Sequence, residues 1–223
     1  MNVNLSDLRQ RFLRALSDSG VQRSGAALFD ELLARYGEDH RRYHTLEHVD
    51  ACLGFFDWYR GISLHPERVE LALWFHDAVY DPRACDNERR SALLARARLG
   101  ELGLCRAALD DIEAHVLATE RHRGGTPDTD LVVDLDLAIL GGRARTYARF
   151  EQAIREEYAH ATEQAFAIGR RAVLAAFLAR PEIYRVPALR EELEAPARLN
   201  LERRILELAA LRPDHAPGSD AAW

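Results

Sequence analysis

A histidine and an aspartate interrupt an apolar segment near the middle of the chain. His76 and Asp77 follow the apolar residues 72–75 and precede Ala78 and Val79. A buried carboxylate is costly unless it is paired or bound to a metal. Imidazole and carboxylate groups are also common ligands of divalent cations. The pair therefore indicates either a metal site or a hydrogen-bonded pair within the core.

Further candidate ligands lie on both sides of this pair. His44 and His48 are four residues apart, a spacing that places both on one face of a helix. After the pair, Asp134 and Asp136 lie in an apolar run. One histidine, the His-Asp pair and one of these aspartates would supply two imidazoles and two carboxylates to a single divalent ion. With no thiolate among them, water can fill the remaining positions, unlike in a closed structural zinc site.

Charge and cysteine content narrow the class of protein. The chain of 223 residues has a net charge of -6 and no long basic run, which argues against binding of duplex nucleic acid or a membrane surface. Its three cysteines form no CxxC spacing, so they are interpreted as reduced packing residues. No signal-like N-terminus and no long apolar stretch is present, and a cytoplasmic location is expected.

Apolar residues recur at the helical spacing through most of the sequence, which predicts an all-α protein. A single domain is expected over residues 1–212, followed by a frayed tail over residues 213–223. One helix is expected from Glu67 to Tyr80, behind Pro66, and a loop from Arg121 to Asp130. Residues 131–137 are interpreted as a buried helix, although their alternation makes a strand arguable. Apolar residues near the C-terminus could serve a homodimer or the core; they are Leu199, Ile205, Leu206 and Leu208.

The order His, then His-Asp, then Asp resembles the HD-domain superfamily of metal-dependent phosphohydrolases. More narrowly, the chain resembles a small bacterial family known as predicted HD phosphohydrolases, over about residues 40 to 205. The segments that carry the resemblance are 43–48, 75–80, 86–92, 118–122, 134–141 and 154–158.

The resemblance implies a bundle of about eight to ten helices with one divalent ion at its centre, namely Mn, Ni, Mg, Co, Zn or Fe. The implied metal ligands are His48, His76, Asp77 and Asp136. Asp136 is preferred to Asp134 because the last ligand of the superfamily usually precedes an apolar residue in an Asp-x-Asp-x-Leu-like run. The present run departs from that pattern, because Leu137 follows Asp136 directly. His44 is the implied general acid, by similarity to cyclic-nucleotide phosphodiesterases, and Asp77 is implied to be catalytic as well as a ligand.

Other residues gain expected roles from the same resemblance. His122 is expected to face the substrate, and Glu88 to orient water or a ligand. Asn87, Arg155 and Arg198 are expected to bind the substrate. His115 and His122 could supply a second metal site, but a single ion is expected.

The expected reaction is hydrolysis of a phosphate ester in a small, nucleotide-like substrate by metal-bound hydroxide. Two other functions remain open at this point. One is that of an HD-fold hydratase or iron-dependent oxygenase acting on a small molecule. The other is that of a non-catalytic helical binding module, in which the His-Asp pair is structural.

Overall fold

A computed structural model of the protein describes residues 3–211, which form ten α-helices and no β-strand. This confirms the all-α prediction and the expected number of helices. The residues of the expected tail, 213–223, lie outside the described range. The helices are α1 (Leu5–Asp18), α2 (Ala26–Tyr36), α3 (Leu46–Tyr59), α4 (Pro66–Phe75), α5 (Asn87–Glu101), α6 (Arg106–Thr119), α7 (Pro127–Asp136), α8 (Ala144–Glu157), α9 (Glu163–Leu178) and α10 (Pro187–Ala210).

Helix α4 lies at the centre of the fold. Every residue from Val69 to Phe75 is buried, and the helix packs against α1, α3, α5, α6 and α7. The last five residues of α4 are all apolar, and a helical segment that is apolar on all sides is stable only when it is surrounded by protein. Trp74 illustrates this, because its ring meets those of Phe12 and Phe29 edge-on, at centroid distances of 5.3 and 5.9 Å. The C-terminal end of α4 is thereby held deep inside one continuous core, to which all ten helices contribute.

The central helix is shorter than the sequence predicted. It ends at Phe75, whereas the apolar pattern predicted helix as far as Tyr80. The buried guanidinium of Arg41 donates to the carbonyls of Asp77 and Ala78 at 2.7 and 3.3 Å. These contacts satisfy the carbonyls outside a helix, so the chain can turn here. The His-Asp pair consequently lies just beyond the helix instead of within it.

The predicted loop before α7 is also shorter than expected, because α7 begins at Pro127 and not after Asp130. Thr126 caps the helix, with its hydroxyl accepting a hydrogen bond from the Thr129 backbone at 3.2 Å. Proline suits the first helical position because its missing N–H would have no partner there. The segment that could have been a strand is helical up to Asp136.

A 3-10 turn follows α7 at once, from Leu137 to Gly141, and packs against α10. The side-chain amide of Asn200 in α10 donates to the carbonyls of Leu140 and Gly142 at 2.9 and 2.8 Å. Helix α10 therefore anchors the segment directly behind Asp136.

The outer face of α10 bears exposed leucines. Leu199 and Leu206 are 66% and 71% exposed, while Leu208 is buried. A homodimer through this face stays a prediction. Within residues 3–211, no helix is both long and apolar enough to cross a membrane.

Candidate metal centre

Four predicted ligands come together from three parts of the chain. His48 lies in the first turn of α3, His76 and Asp77 directly follow α4, and Asp136 is the last residue of α7. One donor atom from each lies within 4.8 Å of the others. All four side chains are buried or nearly so, with at most 14% of a side chain exposed. We call them the ligand cluster.

Five donor–donor distances within the ligand cluster lie close to those expected around one ion. His48 Nε2 lies 3.0 Å from His76 Nε2, 3.2 Å from Asp136 Oδ1 and 3.5 Å from Asp77 Oδ2. His76 Nε2 lies 2.9 Å from Asp77 Oδ2 and 3.6 Å from Asp136 Oδ1. Ligands about 2.1 Å from an ion, at angles of about 90 to 110°, are about 3.0 to 3.4 Å apart. The donor set therefore fits a divalent cation.

The tautomer of His76 favours the same conclusion. Its Nδ1 lies 2.9 Å from the carbonyl of Leu73, which can only accept, so Nδ1 carries the hydrogen. When a metal ion displaces the proton on Nε2, the ring would direct the lone pair of that nitrogen into the ligand cluster. A backbone contact of this kind typically orients metal-binding histidines.

The pKa values show that the ligand cluster favours positive charge. Burial alone would lower the pKa of His76, but Asp77 and Asp136 outweigh it and raise that pKa well above its ordinary value. Burial would likewise raise the pKa values of both carboxyl groups. The neighbouring histidines outweigh burial, so both pKa values are lowered. A proton or a metal ion between these groups would offset the buried negative charge.

Cys52 lies beside the ligand cluster, although the sequence indicated only a packing role. Its Sγ is 3.7 Å from Nδ1 and 3.8 Å from Nε2 of His48, and it donates to the Leu135 carbonyl at 3.7 Å. With His48 and His76 it forms a second group that could hold an ion. Burial and the nearby carboxylates raise the pKa of Cys52 well above its usual value, which keeps the thiol protonated.

Asp134 points away from the ligand cluster. Its Oδ2 accepts hydrogen bonds from the backbone N–H groups of Arg185 and Val186 at 2.7 and 2.6 Å. Burial raises the pKa of Asp134 to about 7, although these two hydrogen bonds act to lower it. Of the two aspartates in the apolar run, the structure thus places Asp136 with the histidines.

His44 is held next to the ligand cluster by Glu157. Nδ1 of His44 donates to Glu157 Oε2 at 2.7 Å, and the hydroxyl of Tyr80 donates to the same oxygen at 2.8 Å. The other oxygen, Oε1, accepts from the backbone N–H groups of residues 42–44 at 2.8 to 3.0 Å. The His44 ring also stacks on Tyr80, with centroids 4.1 Å apart. Only Nε2 of His44 remains for a ligand.

Sequence reasoning missed Glu157. Burial would raise its pKa, but the hydrogen bond and charge of His44, with the backbone N–H groups, lower it to about 2. The signal for it was helical spacing, since Glu157 follows Phe150 and Ile154 on the buried face of α8. An acidic residue in that register must be satisfied inside the protein.

His122 also reaches the ligand cluster. Its Nε2 lies 3.2 Å from Asp136 Oδ2, and its backbone has a φ of +46°, a rare conformation for a residue other than glycine. His115 instead contacts Thr129, with Nδ1 2.9 Å from the hydroxyl oxygen. The two histidines that could have formed a second metal site therefore have separate partners.

Glu88 is half-buried near this group. Burial raises its pKa, the charge of Asp77 adds to the rise, and His122 opposes it. Among the described residues, its carboxylate makes no hydrogen bond to a side chain of the ligand cluster. A role in orienting water stays a prediction.

The structure does not bring the three expected substrate-binding residues into contact with the ligand cluster. Asn87 accepts from and donates to the backbone of Asp81, at 3.0 and 2.9 Å, and so holds the loop before α5. Arg155 donates to backbone carbonyls just beyond α8, and Arg198 to carbonyls at the end of α9 and just beyond it. The acceptors are Tyr158 and Ala161 for Arg155, and Leu178, Arg180 and Pro181 for Arg198.

Comparisons with models of protein families, with curated proteins and with solved structures find no match.

Proposed function

We propose that the protein is a metal-dependent phosphohydrolase of the HD type that acts on a small phosphorylated molecule. The observation that carries the proposal is the set of donor distances within the ligand cluster. His48, His76, Asp77 and Asp136 would hold one divalent cation. Two nitrogen and two oxygen donors suit Mn, Ni, Mg, Co, Zn or Fe. Cys52 would stay a neutral neighbour of His48.

A divalent ion in such a site lowers the pKa of a bound water to about 7 and polarises a phosphoryl oxygen. The chain's own residues supply the rest of the chemistry. His44 would donate the proton on Nε2 to the oxygen that leaves phosphorus. Glu157 holds the hydrogen on Nδ1, so the ring offers its other nitrogen to the substrate. General acid catalysis by histidine typically contributes about 100 to 10,000-fold to the rate.

Two further residues would orient the reacting groups. The Nε2–H of His122 donates to Oδ2 of Asp136, which leaves Oδ1 directed at His48 and His76. This contact would also place the His122 ring at the edge of the substrate. Glu88 would hold a water molecule on the side of Asp77.

A panel of phosphorylated metabolites tests the function, with release of inorganic phosphate measured under each of the six metals. We expect metal-dependent release from at least one compound. The variant His44→Gln should keep its metal but lose at least about 100-fold in kcat. His160→Gln is the matched control, since this histidine is exposed, and should retain full activity.

Metal content separates the rival functions. His76→Ala and Asp77→Ala should lose stoichiometric metal while circular dichroism shows the helical fold retained. Metal-loaded protein that releases phosphate from no compound would favour the hydratase or oxygenase function. Wild-type protein that binds no metal would favour a helical binding module.

A further inference from the structure

Arginines from a distant segment surround the backbone of His122. Nη1 of Arg180 and Nη1 of Arg185 both donate to the His122 carbonyl, at 3.0 and 3.3 Å. Nη2 of Arg180 donates to the neighbouring carbonyl of Arg121 at 3.0 Å. A guanidinium has five N–H donors, so these contacts leave donors for a ligand. Both arginines belong to the connection between α9 and α10.

The positive charge at this place is poorly compensated. Arg123 follows His122 directly in the chain and adds a third guanidinium to this region. Among residues 3–211, no carboxylate lies within 4.0 Å of the guanidinium of Arg180 or of Arg123, and Arg185 has only Asp130, at 3.5 Å. Arg170, by contrast, is paired with a buried glutamate at 2.6 Å. The whole chain carries a net charge of -6, so carboxylates are plentiful elsewhere. Like charges left together beside a polar site favour binding of an anion.

The direction of the pKa shift of Arg180 is consistent with this shortage of nearby negative charge. Burial lowers the pKa of Arg180, and the charges of Arg185 and Arg123 lower it further, with Asp134 opposing. An anion between the arginines would relieve that repulsion. Arg180 and Arg185 are half-buried and Arg123 is exposed, so an anion can reach them from solvent.

His122 connects this charge to the ligand cluster. Its carbonyl contacts the arginines, while Nε2 of its ring contacts Asp136. The ring also packs edge-on against Phe177, at a centroid distance of 5.4 Å. A substrate whose phosphorus lies at the ligand cluster would therefore extend past His122 toward the arginines.

We propose that Arg123, Arg180 and Arg185 form an anion-binding subsite beside the ligand cluster. We call this subsite the arginine rim. Its ligand is a second phosphate of the substrate, so the substrate class is a molecule with two phosphoryl groups. The role of the arginine rim in catalysis rests on the proposed function, whereas its ability to bind an anion does not. Guanidinium groups suit the task because they bind phosphate oxygens through paired, charge-assisted hydrogen bonds.

Calorimetric titration of pyrophosphate and of inorganic phosphate into the metal-free, full-length protein tests the rim. The wild-type protein should bind pyrophosphate more tightly than phosphate. Arg123→Gln and Arg185→Gln should each weaken pyrophosphate binding about tenfold, because each removes a charge-assisted contact. Arg123→Gln carries the test if Arg185→Gln misfolds, since the Arg123 side chain makes no hydrogen bond or ion pair within residues 3–211.

Arg121→Gln is the matched control. It removes the same charge from the same turn, but Arg121 is exposed and lies 3.9 Å from Glu120. The affinity of this variant for pyrophosphate should stay within about twofold of the wild-type affinity. That change is smaller than the roughly tenfold weakening expected when one charged contact is lost. An unchanged affinity in Arg123→Gln, or an equal loss in Arg121→Gln, would overturn the proposal.

Turnover distinguishes failure of the rim from failure of the proposed function. If no phosphate ester is hydrolysed but pyrophosphate binding still depends on Arg123, the hydrolase proposal fails and the rim stands. If esters with one and with two phosphates are hydrolysed at equal kcat/KM by the wild type and by Arg123→Gln, the rim fails and the hydrolase stands.

Discussion

Asp134 and Asp136 show how a single residue's role depends on the helix that carries it. Successive residues of an α-helix are about 100° apart, so positions two apart point in nearly opposite directions. Asp136 therefore meets the histidines while Asp134 meets the backbone of Arg185 and Val186. Had the segment been a strand, both carboxylates would have faced one side. Because the segment is helical, only one of the two aspartates can face the histidines.

The first prediction compares these two aspartates. Asp136→Asn should reduce bound metal from about one ion per chain to a trace, because an amide is a weaker ligand than a carboxylate. Asp134→Asn should keep its metal, since its side chain lies outside the ligand cluster. Elemental analysis of both purified variants measures this. Equal metal loss in the two variants would contradict the assignment.

Glu157 provides a second prediction, on stability. Its pKa is lowered from 4.5 to about 2, so its stabilising effect is present above pH 4.5 and is lost as the pH falls through about 2. Glu157→Gln should lower the free energy of unfolding by about 2 to 3 kcal/mol at pH 7. The difference from the wild type should shrink by about half at pH 3.

Urea unfolding of wild type and Glu157→Gln between pH 7 and pH 3 measures this difference. Glu156→Gln is the matched control, because Glu156 is half-exposed and its nearest arginine nitrogen, in Arg42, is 3.9 Å away. Its effect should be within about 0.5 kcal/mol at both pH values. A penalty for Glu157→Gln that does not change with pH would argue against the ionised, hydrogen-bonded carboxylate.

Contacts between elements hold the ligands in place. The 3-10 turn after Asp136 touches α10 so closely that a Cβ at Gly141 would lie 2.7 Å from the Cβ and 2.9 Å from the carbonyl oxygen of Leu193. Such contacts cannot be relieved by rotating a side chain, because backbone is involved. The position of α7, and with it of Asp136, therefore depends on the seating of α10.

The third prediction follows from this contact. Gly141→Ala should destabilise the protein by about 1 to 3 kcal/mol, because α10 must move outward. Gly54→Ala is the control, since Gly54 is exposed within α3 and an added Cβ meets no atom within 4 Å. That variant should be more stable by about 0.5 to 1 kcal/mol. Thermal unfolding of both proteins checks the opposite signs.

At the scale of the whole molecule, the ligand cluster joins parts of the chain that are far apart in sequence. His48 and Asp136 are separated by 88 residues, and α4 runs between them through the core. No such arrangement survives unfolding, so an ion that binds the folded protein must stabilise it.

The fourth prediction is therefore that added metal raises the Tm. Metal at about 100 times its Kd should contribute about 2.7 kcal/mol, a rise of about 5 to 10 °C for a domain of this size. Scanning calorimetry of chelator-treated protein, with and without the metal, gives the shift. The shift should be absent in His76→Ala. An equal shift in that variant would place the ion elsewhere.

Local properties of the sequence were sufficient to predict the all-α fold and the start of α4 at Pro66. They also identified His76 and Asp77 as candidate functional residues. Helical periodicity and the cost of burying charge are both visible without knowing which segments meet. The end of α4 at Phe75 could not be predicted in this way, because the hydrogen bonds that satisfy the carbonyls beyond it come from Arg41, which lies in another segment.

Only the tertiary structure decided which further groups meet the His-Asp pair. Glu157 behind His44, Cys52 beside His48, and the two arginines at His122 all depend on contacts between residues distant in sequence. Arg155 and Arg198, by contrast, looked suitable by charge, but backbone carbonyls of the fold accept their hydrogen bonds. A residue's type limits the chemistry that it can do, whereas its partners, set by long-range packing, decide whether that chemistry is available.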